Sequence, residues 1–191
     1  MSTIYTLNGK VLKNAANDKW LIKAVPPPPP EEVTIGTQTW KIKNLAIDDG
    51  QGGIYTQTVN YGQGNVTEYY YTWDAAVRVA ATVPGWHLPT KAEWYALANT
   101  VGSSTAGTKL KSTYGWEAGN GDGSYGFAAF PAGGRESGSF GEFGSFANFW
   151  TATEYSPTYA YYRVFNTGAS MGSSYDDKTY AAYSVRLVKD S

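Results

Sequence analysis

The sequence predicts an α+β fold, and three observations carry the prediction. A capping box formed by Thr90 and Glu93 opens a helix with one apolar side. Short runs rich in Val, Ile, Tyr and Trp read as strands, and the connections between elements are long and rich in glycine and serine. The 191 residues are 42% hydrophobic and 16% aromatic, enough to bury one sizeable core.

From the N-terminus, residues 4–7 and 10–12 flank Asn8-Gly9, a dipeptide that tolerates positive φ at both places and so favours a two-residue hairpin. Trp20-Leu21-Ile22 is a candidate third strand. So short a piece buries too little surface to stand alone. Residues 1–24 read as a β attachment segment that adds strands to a particle or appendage partner, preferred over a frayed extension because Leu7, Val11, Trp20 and Ile22 would otherwise be exposed. Residues 25–31 carry five consecutive prolines, an extended spacer of roughly 15 Å. The main domain is then expected over residues 32–191.

Within it, residues 33–40 alternate as a strand that residues 41–47 extend. Asp48-Asp49 begins the turn cluster DDGQGG, and residues 54–66 read as irregular loop. Thr72 is positioned to cap a helix over residues 73–81, with Trp73, Ala76, Val77 and Ala80 facing inward. The stretch GWHLPTKAEW follows, in which Pro89 holds the backbone before it extended and Thr90 starts the second helix. Trp94, Leu97 and Val101 form that helix's apolar side, and Gly102 stops it. Residues 102–145 are expected as compact loops without helix, pinned by Trp116, Phe127, Phe130 and Phe140. Asp122, between glycines, is a turn residue or a calcium ligand, with the turn preferred. Residues 149–153, 160–165 and 183–188 read as short strands, in which Arg163 and Arg186 are expected to pair with Glu93, Glu154 or loop carbonyls.

Six further strings accompany GWHLPTKAEW in order: VTIGTQTW (33–40), YYYTWDAA (69–76), GTKLKSTYGW (107–116), YGFAAFPAGGR (125–135), FWTATE (149–154) and SVRLVKD (184–190). Together they resemble the Fibrobacter succinogenes major paralogous domain over residues 32–190. The resemblance implies a C-type-lectin-like fold, two helices on small antiparallel sheets with long ordered loops, and a role in binding. It is closest to variable binding proteins of gut-bacterial phages and surface adhesins, which retroelements diversify between a motif like WTATE (150–154) and the final strand. That family usually carries one cysteine before the GWHLP turn and one in the last strand. This chain has no cysteine, which also removes disulfides, thiolate metal sites and cysteine nucleophiles. The calcium-binding motifs of sugar-binding C-type lectins are missing, and formylglycine-generating enzymes, which share the wider fold, need cysteines for their chemistry.

The net charge of −1, with its scattered lysines and arginines, gives no case for nucleic acid or an anionic membrane. MSTIYTLNGK has no basic start followed by an apolar run, so no signal peptide is expected in it, and no segment is apolar enough for membrane insertion. His87, the one histidine, is expected in a structural role, and Glu136, Glu142 and Glu154 form no recognisable catalytic pair.

Residues 155–183 hold seven tyrosines among Ser, Thr, Asn, Asp and Gly, the composition of a binding surface built from rigid aromatic anchors and small polar groups. The candidate ligand contacts are Tyr155, Thr158, Tyr159, Tyr161, Phe165, Asn166, Ser170, Ser173, Tyr175, Asp176, Tyr180 and Tyr183. The expectation is a non-enzymatic module without cofactor, on a virion or cell surface, that binds a bacterial cell-surface protein or glycan, as a homo-oligomer such as a trimer. A decoration or assembly protein is the alternative, and a carbohydrate-active enzyme a second.

Overall fold

The computed structural model describes residues 5–7, 10–12 and 30–190. The chain divides into two compact units, Met1–Pro30 and Glu31–Ser191. In the first, β1 (Tyr5–Leu7) pairs antiparallel with β2 (Lys10–Leu12), Tyr5 opposite Leu12. The candidate strand at Trp20-Leu21-Ile22 and the prolines before Pro30 lie outside the described residues.

The second unit is α+β, with small antiparallel sheets and, among the described residues, three short helices. Its first hairpin is β3 (Glu32–Ile35) and β4 (Gln38–Lys41). The single strand expected over 33–40 is therefore broken, because Gly36 turns the chain at φ 63°. Of the extension expected over 41–47, only Lys41 is in a strand, as the last residue of β4. Residues 54–66, expected as loop, instead begin a hairpin of two seven-residue strands, β5 (Ile54–Asn60) and β6 (Asn65–Tyr71). Its tip turns on Gly62 and Gly64, both at positive φ, so the polar tip masked a regular ladder.

Helix α1 (Trp73–Ala80) starts after Thr72, whose side chain makes no capping bond. Its inward side comprises Trp73, Ala75, Ala76, Val79 and Ala80; Val77, expected inside, is 38% exposed. The chain then forms β7 (Trp86–His87) and α2 (Lys91–Val101). Here the capping box is complete: the Thr90 hydroxyl accepts from the Glu93 amide at 3.2 Å, and the Thr90 amide donates to the Glu93 carboxylate at 2.7 Å. Trp94, Leu97 and Val101 are buried as their spacing predicts, and Gly102 ends the helix at φ 95°. Contrary to the loop expectation, a 3-10 turn at Ser103–Thr105 leads into α3 (Ala106–Leu110), which buries Ala106 and Leu110.

The remaining strands are β8 (Gly134–Glu136), β9 (Ser139–Gly141), β10 (Ala147–Glu154), β11 (Tyr159–Phe165), β12 (Met171–Asp177), β13 (Ala181–Ala182) and β14 (Val188–Lys189). They give the sheets β3-β4-β14-β7, β10-β11-β12 and β13-β8-β9, beside the β5-β6 hairpin. Residues 181–188 are buried throughout and act as the spine joining these pieces. Tyr183 exchanges backbone bonds with Tyr71, Ser184 with Asn148 and Trp150, and the carbonyls of Val185 and Leu187 accept from Leu45 and Lys41. Val188 then lies opposite both Trp40 and His87.

Two aromatic cores flank that spine. Around Trp94 lie Trp40 at 4.8 Å and Phe149 at 5.6 Å between ring centres, with Phe127 and Phe165 edge-on. Around Trp150 lie Tyr183 at 4.8 Å and Tyr162 at 6.2 Å, with α1 packed against them. Arg186 is fully buried and donates to the carbonyls of Lys41, Phe127 and Ala128 and to Asn44 Oδ1. Arg163, also buried, donates to the Lys91 carbonyl at 2.9 Å. Of the partners expected for the two arginines, backbone carbonyls are the ones they take; Glu154 pairs with Lys178 at 3.3 Å.

Candidate functional site

Strand alternation sorts the candidate residues before any contact is considered. Tyr159, Tyr161, Arg163 and Phe165 point to the α2 side of β11, while Ala160, Tyr162 and Val164 point to the other. Opposite them on β12, Tyr175 pairs with Tyr161, Ser173 with Arg163 and Met171 with Phe165. Moving outward along this face, Phe165 and Met171 belong to the Trp94 core, Arg163 closes it, and the tyrosines continue into solvent.

Four tyrosines meet there. Tyr155 stacks on Tyr175 with ring centres 3.9 Å apart and planes 5° apart. Tyr161 stands edge-on to Tyr155 at 5.4 Å, and Tyr159 edge-on to Tyr175 at 5.9 Å. Tyr155, Tyr159 and Tyr175 are 49%, 39% and 46% exposed, so their contiguous apolar surface is offered to solvent. Helix α2 completes the patch: Lys91 Nζ lies 3.5 Å from the Tyr161 ring centre, and the Arg163 guanidinium lies 3.9 Å from that of Tyr95. The Arg163 guanidinium beside Tyr95 holds that phenol below the usual tyrosine value, with Lys91 adding to the effect. Burial in turn lowers Arg163, against the opposing pull of Tyr95. The hydrogen bond and charge of Tyr175 raise the Tyr155 phenol.

Of the expected contacts, Tyr155, Tyr159, Tyr161 and Tyr175 are thus brought together. Ser173 is exposed beside Tyr95, and Thr158 lies in the turn between Tyr155 and Tyr159. The others are elsewhere. Phe165 and Tyr183 are corrections: each is fully buried in an aromatic core and offers a ligand no surface. Asp176 faces the opposite side of β12, where its carboxylate and that of Glu136 both lie 2.6 Å from the Tyr183 hydroxyl. Asn166 and Ser170 lie at the far end of the β11–β12 hairpin, which buried Lys111 anchors through the carbonyls of Asn166 and Gly168. Tyr180, 69% exposed, follows the Asp177 turn and lies beside the β8–β9 hairpin, with its carbonyl accepting from Ser137.

Sequence reasoning missed Lys91 and Tyr95. Their i,i+4 spacing on the side of α2 away from Trp94 was a signal for one surface patch, but only the packing of α2 on β11 joins it to the tyrosines. Asp122 is engaged by Ser124 through its amide at 2.8 Å and hydroxyl at 2.6 Å, a turn. Asp49 is paired with Arg78 at 2.7 Å. Among the described residues no group of three His, Asp or Glu side chains is arranged to hold a metal ion, and no helix is long and apolar enough to cross a membrane.

No curated protein and no solved structure matches the chain. A family model matches residues 33–189, nearly the whole second unit and every element from β4 to β14. The chain belongs to the Fibrobacter succinogenes major domain family.

Proposed function

We propose that the second unit is a non-enzymatic, C-type-lectin-like binding module that contacts a bacterial surface protein or glycan through its tyrosine-rich face. The observation that carries this reading is the stacked Tyr155–Tyr175 pair with Tyr159 and Tyr161 packed edge-on around it, left in solvent at the end of the β10-β11-β12 sheet. Rings that support one another lose little entropy on contact, and tyrosine offers both an apolar face and a hydroxyl. Lys91 and Tyr95 widen the face and give it one cationic edge. The C-type-lectin-like assignment is supported by the joining of the first hairpin of the unit and its last strand in one sheet, together with the motif resemblance. Display on a phage particle or cell surface, with residues 1–24 as attachment segment and several copies raising a modest single-site affinity, completes the proposal.

The test is a variant carrying Tyr155→Ala, Tyr159→Ala and Tyr175→Ala, assayed for binding to intact bacterial cells and for thermal unfolding. The proposal expects binding to fall at least about tenfold, the loss of one or two anchor residues, with the melting temperature nearly unchanged. Undiminished binding overturns it. So does a collapse in melting temperature, which would return the rings to a packing role.

A further inference from the structure

A cavity of about 340 Å³ lies between the loop 42–46 and the tip of the β5–β6 hairpin and shares no residue with the tyrosine-rich face. Its walls are mainly apolar and aromatic, and Lys43, Gln63 and Thr67 also line them. Phe130 packs at 4.9 Å from Tyr61 and edge-on at 5.0 Å from Tyr114, which makes an aromatic corner, and Leu45, Val66 and Tyr69 continue the lining. The floor is polar and charged. Glu68 is 6% exposed; its Oε1 accepts from the Tyr61 hydroxyl at 3.0 Å and its Oε2 from Asn44 Nδ2 at 3.1 Å. A carboxylate offers about four acceptor positions, so each oxygen keeps one in reserve. Beneath it, Asn44 Oδ1 takes two N–H groups of Arg186, whose remaining donors go to backbone carbonyls.

This arrangement restricts what the cavity can hold. Arg186 carries a buried positive charge one side chain away from Glu68 and the exposed Lys43 adds a second cation to the lining, so a cationic ligand meets repulsion from both, while an anionic one meets the buried carboxylate itself. A neutral ligand remains. It must present apolar faces to the aromatic corner and at least one donor to Glu68, because a buried acceptor left unfilled is costly. Two adjacent hydroxyls satisfy both carboxylate oxygens at once, as a single phenol or indole N–H does not. A ring with C–H faces and a vicinal diol at its edge meets every condition. We propose that this cavity is a second binding site, for one pyranose residue of a neutral carbohydrate, with Glu68 accepting from a vicinal diol and Phe130 and Tyr114 covering the sugar's apolar face.

The experiment is a titration of the full chain with methyl α-mannopyranoside, methyl β-glucopyranoside, methyl β-galactopyranoside and tetramethylammonium, followed through backbone amide NMR shifts. The expected result is saturable shifts at Asn44, Glu68 and Tyr69 with at least one pyranoside, of millimolar affinity as fits one small ligand. Glu68→Gln is expected to weaken binding at least tenfold, since a lost charged acceptor is a large part of so small an interaction. If Glu68→Gln does not fold, Val66→Arg, at a position 45% exposed on the cavity rim, blocks entry without touching the buried network. Binding that survives Val66→Arg overturns the proposal, as does a cavity that prefers tetramethylammonium or responds to no pyranoside. Shifts confined to Tyr155, Tyr161 and Tyr175 overturn it as well, while leaving the reading of the tyrosine-rich face intact.

Discussion

His87 stands between two carboxylates, with Nδ1 2.7 Å from Asp190 and Nε2 2.7 Å from Glu93. Partial burial pulls its pKa down, but the hydrogen bonds it donates to Asp190 and Glu93 outweigh this and leave it raised above the ordinary histidine value. Burial likewise pushes Glu93 up, yet the Thr90 amide and hydroxyl and then His87 bring it below the ordinary glutamate value. The signs follow from linkage. The histidine contribution is fully present below about pH 6.5, the unfolded value, and is lost as pH rises through the higher folded one. The glutamate contribution is present above about pH 4.3 and is lost as pH falls through the lowered folded value. Thermal melts across pH should therefore show a loss of stability on the alkaline side that His87→Gln abolishes; an unchanged profile in the variant refutes the clasp. Arg186 is a stronger constraint. Burial lowers its pKa to about 9, opposed by the charge of Glu68, and no carboxylate shares its hydrogen bonds. Arg186→Met strands the carbonyls of Lys41, Phe127 and Ala128, at about 1–3 kcal/mol for each buried group left without a partner. Urea unfolding should show the domain losing much of its stability, and a near-native midpoint counts against this account.

At the scale of elements, local chemistry dominates where a signal is complete within a few residues. The Thr90–Glu93 box is such a signal, and the helix starts where it says. Thr90→Ala removes the hydroxyl that holds the Glu93 amide and should cost about 1 kcal/mol in chemical denaturation, whereas Thr72→Ala, at a cap with no side-chain bond, should cost less. Elements whose cause is distant were harder to read. The β5–β6 hairpin, the β8–β9 hairpin and α3 lie in segments rich in glycine and polar residues, and their formation depends on what they pack against. Gly133 illustrates this: its φ is 64°, and a Cβ there would lie 1.9 Å from the Gly141 carbonyl oxygen on the neighbouring strand. Gly133→Ala should destabilise by more than about 1 kcal/mol, read from the shift of the denaturation midpoint.

For the molecule as a whole, the closing strand is decisive. Residues 181–188 run through the middle of the fold and tie β4, β6 and β10 together by backbone bonds, so the second unit becomes complete only when its last residues are in place. Deleting residues 186–191 should abolish cooperative unfolding. Deleting residues 1–30 should leave the melting temperature of residues 31–191 within a few degrees, because the two units are separately compact. Calorimetry on the two truncations decides both points.

The sequence by itself determined the α+β class, the second helix with its cap and its buried Trp94 side, Phe127 as an anchor of the glycine-rich loops, and a tyrosine-rich segment bordered by WTATE and SVRLVKD. These follow from spacing and from side-chain chemistry acting over a few residues. The tertiary structure alone decided which tyrosines meet. Tyr161 and Tyr175 are opposite one another only through the register of β11 with β12, and Tyr155 reaches Tyr175 only across the turn before β11. The same register buries Phe165, and the spine buries Tyr183, although both belong to the composition that marked the surface. Composition records which side chains are available for binding. Pairing register and packing, which depend on residues far apart in the chain, determine which of them remain in solvent.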